Sequence, residues 1–308
     1  MKTIPNLLFV LFLMACSYFF FSCSAEKKEQ EATHKQQSNK QIPKEKALVG
    51  KDYQRIVTIG NVVSETVLAL VDTSRVVAIH NKLPFLPNFD RPKVGSRGML
   101  RSKYILAHKP DAVFSNIQGS ADSIMNQVKK AKVDYHRFKT PEKLEDTKKL
   151  IQEIAQRLNK EQEGKQILAQ IDSNQTAIRN LVSQQKDSLR VLYVHARGPH
   201  TILVGGKNTP AHELINLAGA KNPAEDLEGM KRIDEYDMLG FQAHYLLMSK
   251  KSMASIVGKT EDATILFNST AYRLGRVIVM EEHEILHCGL NTARCAYQLA
   301  SKVYPTVQ

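Results

Sequence analysis

The amino-acid sequence predicts an α/β protein made of two Rossmann-like lobes that are joined by a long connecting helix. Two stretches of the chain alternate short β-branched runs with helix-like segments, and one long stretch between them has no strand signal. Such alternation favours parallel strands with crossover helices on the faces of the sheet. At 308 residues the chain is long enough to bury two cores of ordinary size.

The first α/β series lies within residues 53–140, the predicted N-terminal lobe. Its expected strands are the short apolar runs at residues 55–59, 76–80 and 112–115. Residues 141–188 instead carry apolar side chains at steps of three and four, which indicates long amphipathic helix. We interpret this segment as a rigid helical connector, which predicts a small hinge motion between the lobes.

The second α/β series occupies residues 189–308, the predicted C-terminal lobe. Its expected strands are the apolar runs at residues 190–195, 245–249 and 276–280, and a last helix is expected from about residue 291 to 302. Ligands of parallel sheets bind beyond the carboxyl ends of the strands. Side chains at strand ends are therefore the first candidates for a binding site.

The first 22 residues are typical of a lipoprotein signal peptide. An apolar stretch follows Lys2, is short for a membrane span, and ends at a small residue before Cys23. We expect cleavage there and lipid attachment to Cys23; the competing site at Cys16 has a more usual lipobox, and an uncleaved anchor helix is the alternative. Residues 23–52 are rich in Lys, Glu and Gln, which predicts a lipid-anchored flexible linker.

The bulk composition describes an ordinary globular chain, with 43% hydrophobic and 24% charged residues. The formal charge of +12 favours an anionic partner, but the basic residues are scattered without the interleaved aromatic residues of a nucleic-acid groove. No GxSxG or P-loop motif is present in the sequence. These features favour neither nucleic-acid binding nor catalysis.

Two short-range clusters near the C-terminus have alternative interpretations. Cys288 and Cys295 are either two buried thiols, which we favour, or a disulfide of an exported protein. His283 and His287, with Glu284 between them, form a zinc half-site only if this stretch is helical.

Three collinear segments carry a family resemblance. They are KVGSRGMLRSKYILAHKPDAVFS from Lys93, LVGGKNTPAHELINLAGAKNPAE from Leu203, and ILHCGLNTARCA from Ile285. Together they resemble the helical-backbone class of periplasmic-binding proteins, and within it the haemin-transporter binding proteins. The resemblance covers nearly all of the chain after the linker.

The resemblance implies a non-catalytic lipoprotein on the periplasmic side of the cell envelope. Such a protein captures haem and delivers it to an ABC transporter permease, as a monomer. Cobalamin or a ferric siderophore is the alternative cargo of the same fold, and a chelatase-like enzyme is a more distant alternative. A haem carrier that does not dock a permease is also compatible with the sequence.

The sequence departs from the family at the residue that ligates the haem iron. Members have Tyr directly after Lys-Val-Gly and Arg two residues later, whereas this chain has Ser96 and Gly98. A neutral imidazole is a common substitute for an axial ligand. We therefore predict axial ligation by a histidine at a strand end or in a nearby loop, and the candidates are His80, His195 and His200. The predicted ligand-binding residues are these histidines with Ser96, Arg97, Met99 and Arg197.

The family docks its permease through an acidic side chain on each lobe. The corresponding first-lobe residue is Lys103, which reverses the sign of the charge. In the second lobe the match falls on Tyr236, beside Asp234 and Glu235, which we predict as docking residues. This reversal is the reason for keeping the carrier that docks no permease as an alternative.

Overall fold

The computed structural model describes residues 50–96, 99–117, 121–185, 187–257 and 264–305. The predicted signal peptide, Cys23 and most of the predicted linker lie outside the described residues, as does Arg97. Among the residues that are described, no helix is long and apolar enough to cross a membrane.

The first lobe is built on a parallel sheet. Its strands in chain order, which include a short hairpin formed by the third and fourth, are Ile56–Ile59 (β1), Val76–Ile79 (β2), Gly95–Ser96 (β3), Met99–Leu100 (β4), Ala112–Ser115 (β5) and Asp134–Arg137 (β6). The sheet has the order β2-β1-β5-β6, and all of its neighbours pair in parallel. Helices Asn61–Leu70 (α1), Ser102–Ala107 (α2) and Ala121–Lys130 (α3) connect the strands.

The connector consists of two helices rather than one. Leu144–Arg157 (α4) packs its apolar side into the core of the first lobe, and Glu161–Val182 (α5) is the long helix. The chain between them turns at Asn159, whose φ of 53° lies in the left-handed region. Asn tolerates this conformation better than most residues, so the helix ends here although the apolar spacing continues.

The second lobe has a mixed five-stranded sheet. Its strands are Val191–Ala196 (β7), Ile202–Gly205 (β8), Met230–Arg232 (β9), Tyr245–Ser249 (β10) and Val277–Met280 (β11). The order is β11-β10-β7-β8-β9, in which β11, β10 and β7 are parallel while β8 and β9 continue the sheet antiparallel. The expected α/β architecture is confirmed, and the antiparallel extension is an addition to it.

The helices of the second lobe cover both faces of its sheet. In chain order they are Pro210–Leu217 (α6), Glu235–Phe241 (α7), Lys250–Ile256 (α8), Thr264–Phe267 (α9), Thr270–Arg273 (α10), Glu282–Leu286 (α11) and Thr292–Val303 (α12). One face packs on α6 and α12, and the other packs on α7 to α10. Burial of each large aliphatic side chain here contributes about 1.5–3 kcal/mol.

A carboxylate joins the two lobes through hydrogen bonds. Glu65 of α1 accepts from the backbone N–H of Leu290 at 3.0 Å and from Nδ2 of Asn291 at 2.7 Å. The absence of a side chain at Gly289 lets the carboxylate approach, because a Cβ there would collide with it. Burial raises the pKa of Glu65, although both hydrogen bonds oppose the shift.

The two cysteines are buried free thiols, as favoured from the sequence. Cys288 donates to the carbonyl of Glu142 at 3.3 Å, and Cys295 is a residue of α12 that packs into the core. Burial raises the pKa of each thiol to about 12, so both stay protonated.

Candidate ligand-binding site

A pocket of about 570 Å³ opens beside the carboxyl end of β7 in the second lobe. It has an apolar floor and a polar rim, as small-molecule sites commonly do. Its lining side chains are Tyr193, His195, Ala196, Arg197, Leu203, Met230, Lys251, Ser255, Glu282 and Leu286. A pocket therefore lies where the strand-end rule, that ligands bind beyond the carboxyl ends of parallel strands, predicts a binding site in this lobe.

The register of the antiparallel extension explains the apolar floor. His195 pairs with Leu203 of β8, Leu203 pairs with Arg232 of β9, and Gly205 pairs with Met230. Directly paired residues project from the same face of a sheet. The extension thus carries Leu203 and Met230 out to the side of His195, where they widen the apolar surface.

His195 is the polar centre of the pocket. The Nε group of Arg197 donates to its Nε2 at 3.2 Å, which assigns the ring proton to Nδ1 in the neutral form. On that side the Tyr193 hydroxyl lies 3.4 Å away and Oε1 of Glu282 lies 3.9 Å away. Burial, followed by the positive charge of Arg197, lowers the pKa of His195, so the imidazole is neutral at pH 7.

The rim of the pocket carries positive charge. Arg197 and Lys251 are exposed, and Nζ of Lys251 lies 3.5 Å from Oε2 of Glu282. A guanidinium and an ammonium beside an apolar floor favour a ligand that has an apolar body and carboxylate groups. The neutral imidazole adds a ligand for a metal ion carried by that body.

The structure does not make His80 available in the same way. Its Nε2 is buried with no hydrogen-bond partner among the described residues, and Nδ1 lies 3.1 Å from Nδ2 of Asn81. Burial lowers the pKa of this histidine. With Nε2 buried and Nδ1 beside Asn81, His80 has surroundings less suited to ligation than those of His195, and its role as a ligand stays a prediction.

His200 lies in a separate surface pocket of about 490 Å³. That pocket is also lined by Pro199, Asp234, Glu235, Tyr236, Thr264 and Ile265, not by His195 or Arg197. The turn after β7 carries His200 past the strand end, toward the predicted docking residues. The two second-lobe histidines are therefore not brought together.

The first-lobe candidates lie on the β3–β4 hairpin. Ser96 and Met99 are direct partners in its antiparallel ladder, and Arg97 falls in the part of the hairpin outside the described residues. Lys93 forms a parallel bridge with Ile79, the last residue of β2. The hairpin that follows Lys93 therefore lies beyond the carboxyl edge of the first sheet.

The predicted docking residues occupy exposed positions on both lobes. Lys103 of α2 is exposed, with Nζ 5.1 Å from the ring centroid of Tyr104. Asp234 caps α7 by accepting from the backbone N–H of Asp237 at 2.9 Å, whereas Tyr236 is 83% exposed. Glu235 is likewise exposed at the first turn of this helix.

Two charged residues of the pocket were missed from the sequence. Glu282 comes two residues after β11 and Lys251 comes two residues after β10, so the strand-end rule contained the signal. The zinc hypothesis concerned His283 and His287, which do not line this pocket. Within the described ranges no group of three metal-binding side chains occurs, and α11 ends before His287.

Two α/β lobes, a long connecting helix and a pocket at strand ends define a bilobal ligand-binding protein. The family model for periplasmic binding proteins matches residues 56–282, and the chain belongs to this family. A comparison with curated protein sequences finds no match.

Solved structures of haem-binding proteins are similar to this chain in fold. The periplasmic heme-binding protein RhuT from Roseiflexus sp. RS-1 is 24% identical, with a TM-score of 0.72 over 83% of this chain and 99% of that one. Heme-binding protein HutB of Vibrio cholerae is 21% identical, with a TM-score of 0.71 over 82% and 99%. A periplasmic heme-binding protein from Pseudomonas aeruginosa is 20% identical, with a TM-score of 0.69 over 83% and 94%.

Proposed function

We propose that this protein captures haem in the second-lobe pocket, with His195 as an axial ligand of the iron, and delivers it to an ABC importer. The observation that carries the proposal is a neutral imidazole above an apolar floor, with cationic side chains at the rim. The names of the structurally similar proteins, which bind haem, support the same cargo.

The chemistry of haem matches each part of the pocket. The porphyrin face is apolar and suits Leu203, Met230 and Leu286, while the two propionates suit Arg197 and Lys251. A volume of about 570 Å³ lies within the ordinary range for small-molecule sites. For the iron to bind Nε2 of His195, Arg197 must give up its hydrogen bond to that nitrogen. A propionate offers Arg197 a charged hydrogen-bond partner in its place.

Delivery and anchoring form the second part of the proposal. A lipid on Cys23 would hold residues 23–52 at the membrane as a linker, with the lobes at 53–140 and 189–308 on the periplasmic side. The acids Asp234 and Glu235 would meet the permease from the second lobe, and Lys103 would meet it from the first lobe. The protein itself would catalyse no reaction.

A haemin titration followed in the visible spectrum tests the cargo. We expect a saturable Soret shift at micromolar haemin with the high-spin spectrum of haemin that has one histidine ligand. The same titration with cobalamin and with a ferric siderophore, followed by the melting temperature, compares the alternatives, because a ligand of the folded state raises that temperature. Stabilisation by cobalamin or a siderophore without a haemin spectrum would overturn the assignment of haem.

Copurification from solubilised envelopes tests delivery. We expect a permease to be recovered with the wild-type protein and lost when Glu235 is replaced by Lys, since reversing a charge at a docking contact creates repulsion. Recovery of a different haem protein in place of a permease would support the carrier that docks no importer.

A further inference from the structure

Glu282 connects three elements around the pocket. It is the first residue of α11, directly after β11, and its side chain is 33% exposed. One carboxylate oxygen lies 3.9 Å from Nδ1 of His195 on β7, and the other lies 3.5 Å from Nζ of Lys251 on α8. The carboxylate therefore lies on the Nδ1 side of the imidazole, whereas Arg197 contacts Nε2 on the other side.

The assignment of the ring proton gives this position a chemical meaning. Because Nε2 of His195 accepts from Arg197, the proton lies on Nδ1 and is directed to the side of Glu282. A histidine that binds a metal through one nitrogen almost always donates from the other, usually to a carboxylate, carbonyl or water. Such a partner orients the ring and makes the free nitrogen a stronger electron donor.

We infer that Glu282 positions His195 as the axial ligand, by accepting the Nδ1 proton while Lys251 holds its other oxygen. The separation of 3.9 Å is longer than a hydrogen bond. Release of Nε2 by Arg197 frees the ring to move the remaining distance toward the carboxylate. This inference rests on the proposed function, because it concerns the ligand of the haem iron.

Two other groups must be separated from this role. The buried hydroxyl of Tyr193, 3.4 Å from Nδ1, could share the proton. Glu282 could also serve only as a surface partner of Lys251, since an exposed ion pair of this kind contributes little to stability. The first alternative predicts that Tyr193→Phe changes the electronic properties of the iron, and the second predicts that no change at Glu282 does so.

The neighbouring acid provides a matched control. Glu281 precedes Glu282 in the chain, and its carboxylate pairs with Lys250 at 2.5 Å outside the pocket. Glu281→Gln removes the same charge from the adjacent position without reaching His195. Comparison with Glu282→Gln therefore isolates the contact to the imidazole from the general loss of an acidic residue.

The experiment measures the haemin affinity and the reduction potential of the bound iron in the two variants and in the wild type. We expect Glu282→Gln to weaken haemin binding about 10–100-fold, as loss of a hydrogen-bonding carboxylate behind a metal ligand commonly does. The potential should rise, because a less electron-rich imidazole stabilises the ferric state less. Glu281→Gln should match the wild type in both quantities. Equal affinities and potentials for all three proteins would overturn the inference.

A second measurement decides the role of Glu282 without haemin. Nitrogen-15 NMR of the histidine side chains reports which ring nitrogen of His195 carries the proton. Because Arg197 also fixes the proton on Nδ1, the measurement is made in the Arg197→Met background. We expect the Nδ1–H form in Arg197→Met and in Arg197→Met/Glu281→Gln, and a mixture of tautomers in Arg197→Met/Glu282→Gln. The Nδ1–H form in all three variants would count against the inference. If haemin leaves every spectrum unchanged, the cargo is wrong, while the tautomer result still decides how His195 is held.

Discussion

Each lobe has a histidine at or next to the end of a strand, but the two histidine side chains have different surroundings. His80 follows β2 at the edge of the first sheet, where one ring nitrogen is buried with no partner in the part of the chain that the structure describes, and the other faces Asn81. His195 lies on β7 in the middle of the second sheet, beside a pocket of about 570 Å³. The comparison teaches that a strand end locates candidates, whereas the neighbouring strands and helices decide which one can bind a ligand.

Replacing His195 by Ala gives the largest expected effect on this comparison. Loss of the axial ligand should weaken haemin binding by at least about 100-fold, beyond the usual effect of losing only a supporting group. The spectrum of histidine-ligated haemin should disappear with it. The matched variants are His80→Ala and His200→Ala, in which titration should give affinities close to that of the wild type.

Removing the guanidinium should have the next largest effect. Arg197→Met keeps an unbranched side chain of similar reach but deletes the partner proposed for a propionate. We expect about a 10–100-fold loss of affinity, since a hydrogen bond to a charged group contributes about 1.5–3 kcal/mol. Titration with a porphyrin diester removes the same contact from the ligand side, and it should give equal affinities for Arg197→Met and the wild type. If Arg197→Met lowered the affinity for the diester as much as it lowers the affinity for haemin, the role of Arg197 would be contradicted.

The Glu65 hydrogen bonds, which join the two lobes, predict an effect on protein stability rather than on ligand binding. Glu65→Ala leaves the backbone N–H of Leu290 and the amide of Asn291 without their acceptor. We expect the free energy of unfolding to fall by about 1–3 kcal/mol. Denaturant unfolding measures this change, and Glu145→Ala, at an exposed residue of α4, should alter it by less than about 0.5 kcal/mol.

A third histidine predicts a pH effect that is confined to the first lobe. Burial lowers the pKa of His136 to about 4, and Nε2 of this residue lies 3.0 Å from the Tyr53 hydroxyl. A histidine with a lowered pKa contributes stability above its unfolded pKa of 6.5 and loses it as the pH falls toward 4. We expect a loss of about 1–3 kcal/mol over this range.

Denaturant unfolding at several pH values measures that loss. His136→Phe keeps an aromatic ring against Phe114 but cannot titrate, so its stability should vary less between pH 6.5 and about 4. Equal pH profiles for the wild type and this variant would show that His136 is not the group responsible.

The sequence predicts most of the parallel strands because they are short apolar runs that are largely buried. Strands β1, β2, β5, β7, β10 and β11 and helix α12 all lie where apolar runs or spacing indicate them. Strand β6 was missed because DYHR is polar and lies at a sheet edge, and β9 was missed because Met230–Arg232 contains two basic residues and all three side chains are exposed. The end of α4 depends on the backbone of a single asparagine, which apolar periodicity does not report.

The candidate site could be predicted in part. His195 and Arg197 follow from the strand-end rule, and the structure places both in one pocket. Leu203 and Met230 could not be assigned, because their place beside His195 depends on the register of two antiparallel strands. The difference between His80 and His195 depends on the burial of one ring nitrogen, which the sequence does not report.

Paired haemin titrations of His195→Ala and His80→Ala test the central claim most directly. Both variants remove a histidine near a strand end, and only their surroundings differ. The account predicts that His195→Ala loses the spectrum of histidine-ligated haemin and most of the affinity, while His80→Ala keeps both. Retention of the wild-type spectrum by His195→Ala, or its loss in His80→Ala, would contradict the claim that the second-lobe pocket binds the iron.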